Sequence, residues 1–188
     1  MFGNLWGKKS AQQQDDQVWK TAAACVKGLC RETVKSAGGG HSVIVVCLTM
    51  GAFETMDAVL AAQQPAHCRD RFGRDALRAR LARAQAGAGS ITIALCGSLP
   101  LDPVATSAAV EILVHGRNAS RAADAAIKHF ADQLGPQASI AFHLSLEDAL
   151  LKPLLASSLP LFEKLGLAED TALSHAMITR SIANVQAP

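Results

Sequence analysis

Ser139–Asp148 reads Ser-Ile-Ala-Phe-His-Leu-Ser-Leu-Glu-Asp. The apolar run Ile140–Leu144 predicts a strand that halts at a serine and two acids. Within it His143 alternates with Phe142 and Leu144, so its side chain faces the opposite side. Ser145 is placed to cap a helix over Leu146–Ala156, with Glu147 and Asp148 complementing its positive end. Adjacent helical positions point about 100° apart, so these two acids do not converge on one substrate as paired catalysts. Working outward, Val43–Leu48, Ile91–Leu95 and Val110–His115 are further apolar runs. Val43–Leu48 is continuous and rich in β-branched residues, the pattern of a strand buried on both faces. Helical spacing fits Asp16–Ser36, Ala52–Gln63, Arg74–Ala86, Ala119–Leu134 and His175–Gln186. Strands alternating with helices predict an α/β fold: a mainly parallel sheet with helices on both faces, plus C-terminal helices after Leu146. Gly38-Gly39-Gly40 precedes a strand and no Gly-Lys-Ser/Thr follows, so it reads as a turn and not as a phosphate loop.

Composition narrows the function classes. With 49% apolar and 18% charged residues in 188, the chain reads as an ordinary globular domain, not a disordered one. A net charge of +2 gives no global attraction to nucleic acid or membrane. No apolar run approaches the roughly 18 residues that span a bilayer, and Met1–Lys9 lacks a signal-peptide core. The sequence therefore predicts a cytoplasmic protein with a mobile tail over residues 1–15 and a single domain over 16–188. Five cysteines at positions 25, 30, 47, 68 and 96 are odd in number and irregular in spacing, which suits a reducing compartment. Tyrosine is absent and aromatics make up 4%, which argues against base stacking and so against a nucleic-acid partner.

The decisive stretch also resembles a known motor family. Laid without gaps on that family's His-Glu-Ser-Arg-Arg to Leu-Ser-Leu-Glu-Asp run, Asn118–Asp148 matches at Ser120, Arg121, Asp124, Ala131, Gly135, Ser139, Phe142 and Leu144–Asp148. Lys164-Leu165-Gly166, His175, Thr179, Ile182, Ala183, Asn184 and Gln186 are similar to the residues that follow there. Asp16–Thr21 and Ile91–Ala94 resemble its leading helix and a core strand. The family is SecA, the ATPase of the bacterial Sec preprotein translocase, and the matching module is the second of its two RecA-like lobes. The resemblance implies a RecA-like fold for residues 16–188. In the family, that lobe contributes arginines which neutralise charge on the transferred phosphoryl group, an effect worth about three to five powers of ten in related enzymes. Here the three positions of the Arg-Gly-Arg-Ala-Gly-Arg run fall on Lys128, Phe130 and Gln133. The other motif, Ala-Gly-Arg-Gly-Thr-Asp, has become Cys96–Asp102. Neither phenylalanine nor glutamine replaces a guanidinium that grips phosphate oxygens, and Lys128 keeps charge without bidentate geometry.

Arg69, Arg71, Arg74, Arg78, Arg80 and Arg83 crowd one segment, where the family usually carries a more acidic helix. Arg71, Arg74, Arg78, Arg80 and Arg83 are candidates for docking an acidic partner; the plainer reading is a solvated basic helix. Six histidines show no helical metal spacing, so neither a metal nor any other cofactor is expected. His175 is expected to cap or pack at the start of the last helix. No serine nucleophile with a histidine and a carboxylate can be assembled around Ser120 or Ser145, and no catalytic residue is assigned.

Two functions follow from the resemblance. The first is a catalytically inactive SecA-like domain: a protein-protein interaction or regulatory module, with SecA itself or an export or assembly component as partner. The second is a nucleotide-binding, non-hydrolysing lobe that completes a site in trans, using Arg117, Arg121 and Lys128 at the cleft between Cys96–Asp102 and His115–Arg121. Apolar edges left uncovered by an absent companion lobe favour self-association as a homo-oligomer.

Overall fold

The computed structural model describes residues 10–63, 68–70, 74–102, 106–152, 164, 168 and 170–187. Its centre is β3 (Ser42–Cys47), buried at every position. It is flanked in parallel by β5 (Ser90–Leu95) and β6 (Val110–His115). Beyond β6 lies β7 (Ala138–Ser145), also parallel. On the far side of β5, β4 (Cys68–Asp70) adds in parallel. Two short N-terminal strands, β1 (Gln12–Gln13) and β2 (Gln17–Trp19), run parallel to β7, and β8 (Leu173–Ser174) closes that edge antiparallel to β2. The order β4-β5-β3-β6-β7-β2-β8 matches the expected mainly parallel sheet.

Strand alternation divides the core. Val43, Val45, Ile91, Ile93, Leu113 and Ala141 point to a face covered by α1 (Ala22–Gly38) and α2 (Met50–Gln63). Ile44, Val46, Ile112, Val114, Ile140 and Phe142 point to the other, covered by α3 (Arg74–Arg83), α4 (Arg121–Leu134) and α5 (Ala176–Val185). Helices therefore lie on both faces, as a right-handed crossover requires when the chain reverses direction across the sheet. Each helix offers one apolar stripe: Phe53, Met56 and Leu60 on α2, and Ile127, Phe130, Ala131 and Leu134 on α4. A fully buried side chain of this size contributes about 1.5–3 kcal/mol.

Several boundaries differ from the sequence reading, each for a local reason. The stretch from Gln12 is not a loose tail up to Asp15: Gln12 and Gln13 pair with β7, and the Gln14 amide donates to the Ile140 carbonyl at 2.9 Å. The expected helix from Asp16 begins only at Ala22, because Gln17–Trp19 is taken into the sheet and Thr21 Oγ1 accepts from the Ala24 amide as N-cap. The Gly38–Gly40 triplet does end α1, with Gly40 at φ 88°. Ser145 does not cap a helix at Leu146. Its amide and hydroxyl both donate to the Asp148 carboxylate in a turn, followed by a 3-10 turn at Ala149–Leu151. Residues 153–156 of the expected helix lie outside the described residues. Glu147 does complement a helix start, but that of α1, where its Oε2 accepts from the Ala22 amide at 2.9 Å.

Candidate functional site

Ligands of open parallel sheets sit beyond the strand C-termini where adjacent strands send their helices to opposite faces. Here that point lies between β3, followed by α2 on one face, and β6, followed by α4 on the other. A cleft of about 550 Å³ opens there, lined by Leu48, Thr49, His115, Gly116, Arg117 and Asp148 among others. Thr49 Oγ1 caps α2 by accepting from the Ala52 amide. His115 Nδ1 has no hydrogen-bond partner among the described residues, and burial lowers its pKa, with Asp148 pulling the other way.

Arg117, one of the three nucleotide candidates, lines this cleft while its guanidinium is held in a buried network on the α4 face. Its side chain is 3% exposed, and Nε and Nη2 donate to Asp16 Oδ1 at 3.1 and 2.6 Å, Nη1 to Asp124 Oδ2 at 2.9 Å. The guanidinium lies over the Phe142 ring, 3.9 Å from its centroid. Asp124 also accepts from the Asn118 amide and side chain and from Gln186 Nε2. Gln186 bonds the Asn118 carbonyl as well, while Ala187 pairs with Ala119 and Arg121, so the C-terminal segment is laced to the start of α4. Burial pushes the Asp16 carboxyl up, against the pull of Arg117. Three of the five guanidinium N–H donors are taken up by the two buried carboxylates.

The other candidates separate. Arg121 is exposed at the first turn of α4, capped by Ser120 Oγ, and its side chain makes no ion pair among the described residues. Lys128 is half-buried, 5.8 Å from the Phe142 centroid, and burial lowers its pKa, with the Arg117 charge adding to the shift. Phe130 is core, 2% exposed. Gln133 Nε2 donates to the Leu101 carbonyl at 3.0 Å, fastening the Cys96–Asp102 stretch to α4. Between that stretch and α4 lies a second groove of about 320 Å³ lined by Cys96, Leu99, Leu101, Asn118 and Phe130. Only Asn118 represents the His115–Arg121 side of the expected cleft there.

The arginine-rich segment also splits. Arg69 lies in β4, and Arg71 falls outside the described residues. On α3, Arg74 Nε donates to the Gly97 carbonyl at 3.2 Å and Arg78 lies 3.4 Å from Asp102, both at the strand C-terminal end. Arg80 and Arg83 line a separate groove of about 560 Å³ at the opposite end of the sheet, with Ala76, Ala79 and Ser90. His175 caps α5, its Nδ1 accepting from the Met177 amide at 3.1 Å. His143 is fully buried among Trp19 and Glu32, a cluster that strand alternation hinted at without naming partners. Cys25, Cys30 and Cys47 are buried; burial pushes the Cys47 thiol up to about 12, so it stays protonated and inert.

No family model matches the chain. Its sequence is 27% identical over 182 residues to protein translocase subunit SecA of Amoebophilus asiaticus, covering 93% of this chain and 16% of that protein. It is 28% identical over 178 residues to the SecA of Desulfotalea psychrophila, covering 91% of this chain and 21% of that protein. The chain thus spans about a fifth or less of the curated relatives it matches. Among solved structures, T4 UvsW superposes with a TM-score of 0.54 at 12% identity, over 95% of this chain and 38% of that one. At that identity the likeness speaks to fold alone, and the fold is RecA-like.

Proposed function

We propose that this chain, related in sequence to a segment of SecA over nine-tenths of its length, is a non-catalytic SecA-like lobe that acts as a protein-interaction module in export or assembly. The observation that carries this reading is the fate of the three arginine positions. Phe130 is spent on the core, Gln133 on the Leu101 carbonyl, and Lys128 on a half-buried place beside Arg117. None offers a planar fork to a phosphate, so the stabilisation that such a lobe lends to phosphoryl transfer is gone. The scaffold and its outer helix faces persist, and these serve association. No described helix is long and apolar enough to cross a membrane.

Nucleotide binding without hydrolysis leans on Arg117, Arg121 and Lys128, and of these only Arg121 is exposed with an uncommitted side chain. Calorimetry with ATP and ADP at millimolar concentration, together with a coupled assay of phosphate release, tests the proposal. No heat and no turnover are expected. Steady ATP turnover by the purified chain overturns the non-catalytic reading.

A further inference from the structure

We propose that the groove between α3 and the Gln85–Ser90 segment docks an acidic, amphipathic segment of a partner protein, anchored by Arg80 and Arg83. The inference rests on the interaction-module reading and gives its partner a chemistry. Ala76, Ala79, Arg80 and Arg83 fall at i, i+3, i+4 and i+7, one face of the helix, while Leu77 and Leu81 hold another face against the core. The groove of about 560 Å³ runs between that face and the turn leading into β5. Among the described residues neither Arg80 nor Arg83 has an acidic partner, whereas Arg74 and Arg78 are tied to the Gly97–Asp102 stretch. Two guanidiniums one turn apart, neither paired among the described residues, match two carboxylates at helical or extended spacing, in a bidentate fashion. The short side chains of Ala76 and Ala79, one turn before the arginines, admit a partner's main chain and offer methyl groups to its apolar side chains. Such a floor has no use for a bare anion.

Nucleic acid fits the same charges less well. The net charge is only +2 and aromatics are 4%, and neither Trp, Tyr nor Phe lines this groove to stack a base. The groove also lies at the N-terminal end of β5, away from the crevice at the strand C-termini. Docking there leaves that crevice untouched.

Fluorescence anisotropy tests the assignment on the full chain. The probe is a fluorescein-labelled peptide of about sixteen residues repeating Glu-Ala-Leu-Ala, alongside its Lys-for-Glu counterpart and oligothymidylate of equal length. The acidic peptide is expected to bind, the lysine peptide not. Arg80→Ser/Arg83→Ser should weaken binding about tenfold with an unchanged Tm, and Arg121→Ser should leave it unaltered. Binding should also fall as salt shortens the Debye length from about 10 Å toward 3 Å. The assignment is overturned by no binding of the acidic peptide, by equal binding in the double variant, or by tighter binding of oligothymidylate. ATP turnover would sink the non-catalytic reading whatever the peptide does. A chain variant that retains a native partner without Arg80 and Arg83 keeps the module and loses this surface.

Discussion

Arg117 Nη2 lies 2.6 Å from Asp16 Oδ1, joining residues 101 positions apart inside a site where the two side chains are 3% and 0% exposed. With Asp124 on its other edge, the guanidinium ties the N-terminal strand, the loop after β6 and α4 into one unit, and Gln186 adds the C-terminal segment. Removing one member of a buried charge cluster strands the others, at about 3–5 kcal/mol. Arg117→Leu should lower the urea-unfolding free energy by about that amount, because two carboxylates then share a sealed site without a cation. Arg121→Ala, at the exposed start of the same helix, should cost under about 0.5 kcal/mol. If Arg117→Leu unfolds within about 1 kcal/mol of the parent, the network is not what joins these segments.

His143 accepts from the Trp19 indole N–H at Nδ1, 3.3 Å away, which leaves its own proton on Nε2, 3.7 Å from Glu32 Oε2. Burial, helped by the neighbouring His115, lowers its pKa from 6.5 to about 3. The folded state thus refuses a proton that the unfolded chain accepts. Stability from this group is complete above about pH 6.5 and is lost as pH falls toward about 3, at about 1.4 kcal/mol per pH unit. His143→Gln should be less stable at neutral pH yet flatter in its pH dependence. Urea midpoints read at intervals from pH 7.5 to about 4.5 would show this as a shrinking gap between the two proteins. Parallel curves across that window would mean that His143 does not carry the acid sensitivity.

Two helical glycines should respond to alanine with opposite signs. In an exposed helix, Gly→Ala is favourable by up to about 1 kcal/mol. Gly51, in the first turn of α2, has open space where a Cβ would stand, so Gly51→Ala should raise stability by about 0.5 kcal/mol. At Gly28, within α1, a Cβ would run into the six-membered ring of Trp19. Gly28→Ala should therefore destabilise by about 1–3 kcal/mol, as overpacking a filled core does. Thermal melts of the two variants decide it, and a rise in Tm for Gly28→Ala would contradict the packing of Trp19 against α1.

The strands at the sheet centre were legible because burial on both faces demands continuous apolar runs, and Val43–Leu48, Ile91–Leu95 and Val110–His115 supply them. β2 was not, since Val18 and Trp19 also fit helical spacing with Ala22 and Cys25, and only pairing with β7 makes them a strand. β4 carries a cysteine and two charged residues, with no apolar periodicity to read. That Lys128, Phe130 and Gln133 stand where the SecA run carries arginines could be read from the residues themselves. The commitment of Arg117 was not, although one sign was present: Asp124 continues the buried stripe of Ile127, Ala131 and Leu134 one turn earlier, and a carboxylate there demands a buried cation. Which cation, and that Asp16 would share it, depends on contacts between distant segments that no periodicity encodes.

The non-catalytic reading proposed above predicts that arginine cannot be placed at will at Lys128, Phe130 and Gln133 of α4. Phe130 is 2% exposed in the same apolar cluster as Leu81, Leu99 and Ile127. Phe130→Arg removes that packing, worth about 3–5 kcal/mol for Phe→Ala, and adds a cation to an apolar site. The variant should be largely unfolded by circular dichroism at 25 °C. Lys128→Arg, on a half-buried stem near Phe142, keeps the charge and should stay folded, within about 1 kcal/mol of the parent. Gln133→Arg gives up the hydrogen bond to the Leu101 carbonyl, a loss of about 1 kcal/mol. The Lys128→Arg/Gln133→Arg pair is thus the most that can be restored, and it should gain neither ATP affinity by calorimetry nor turnover, because Phe130 still fills the middle position. A folded Phe130→Arg protein would show that this part of the core is not committed, and turnover in the double variant would show that the cleft had kept its chemistry all along.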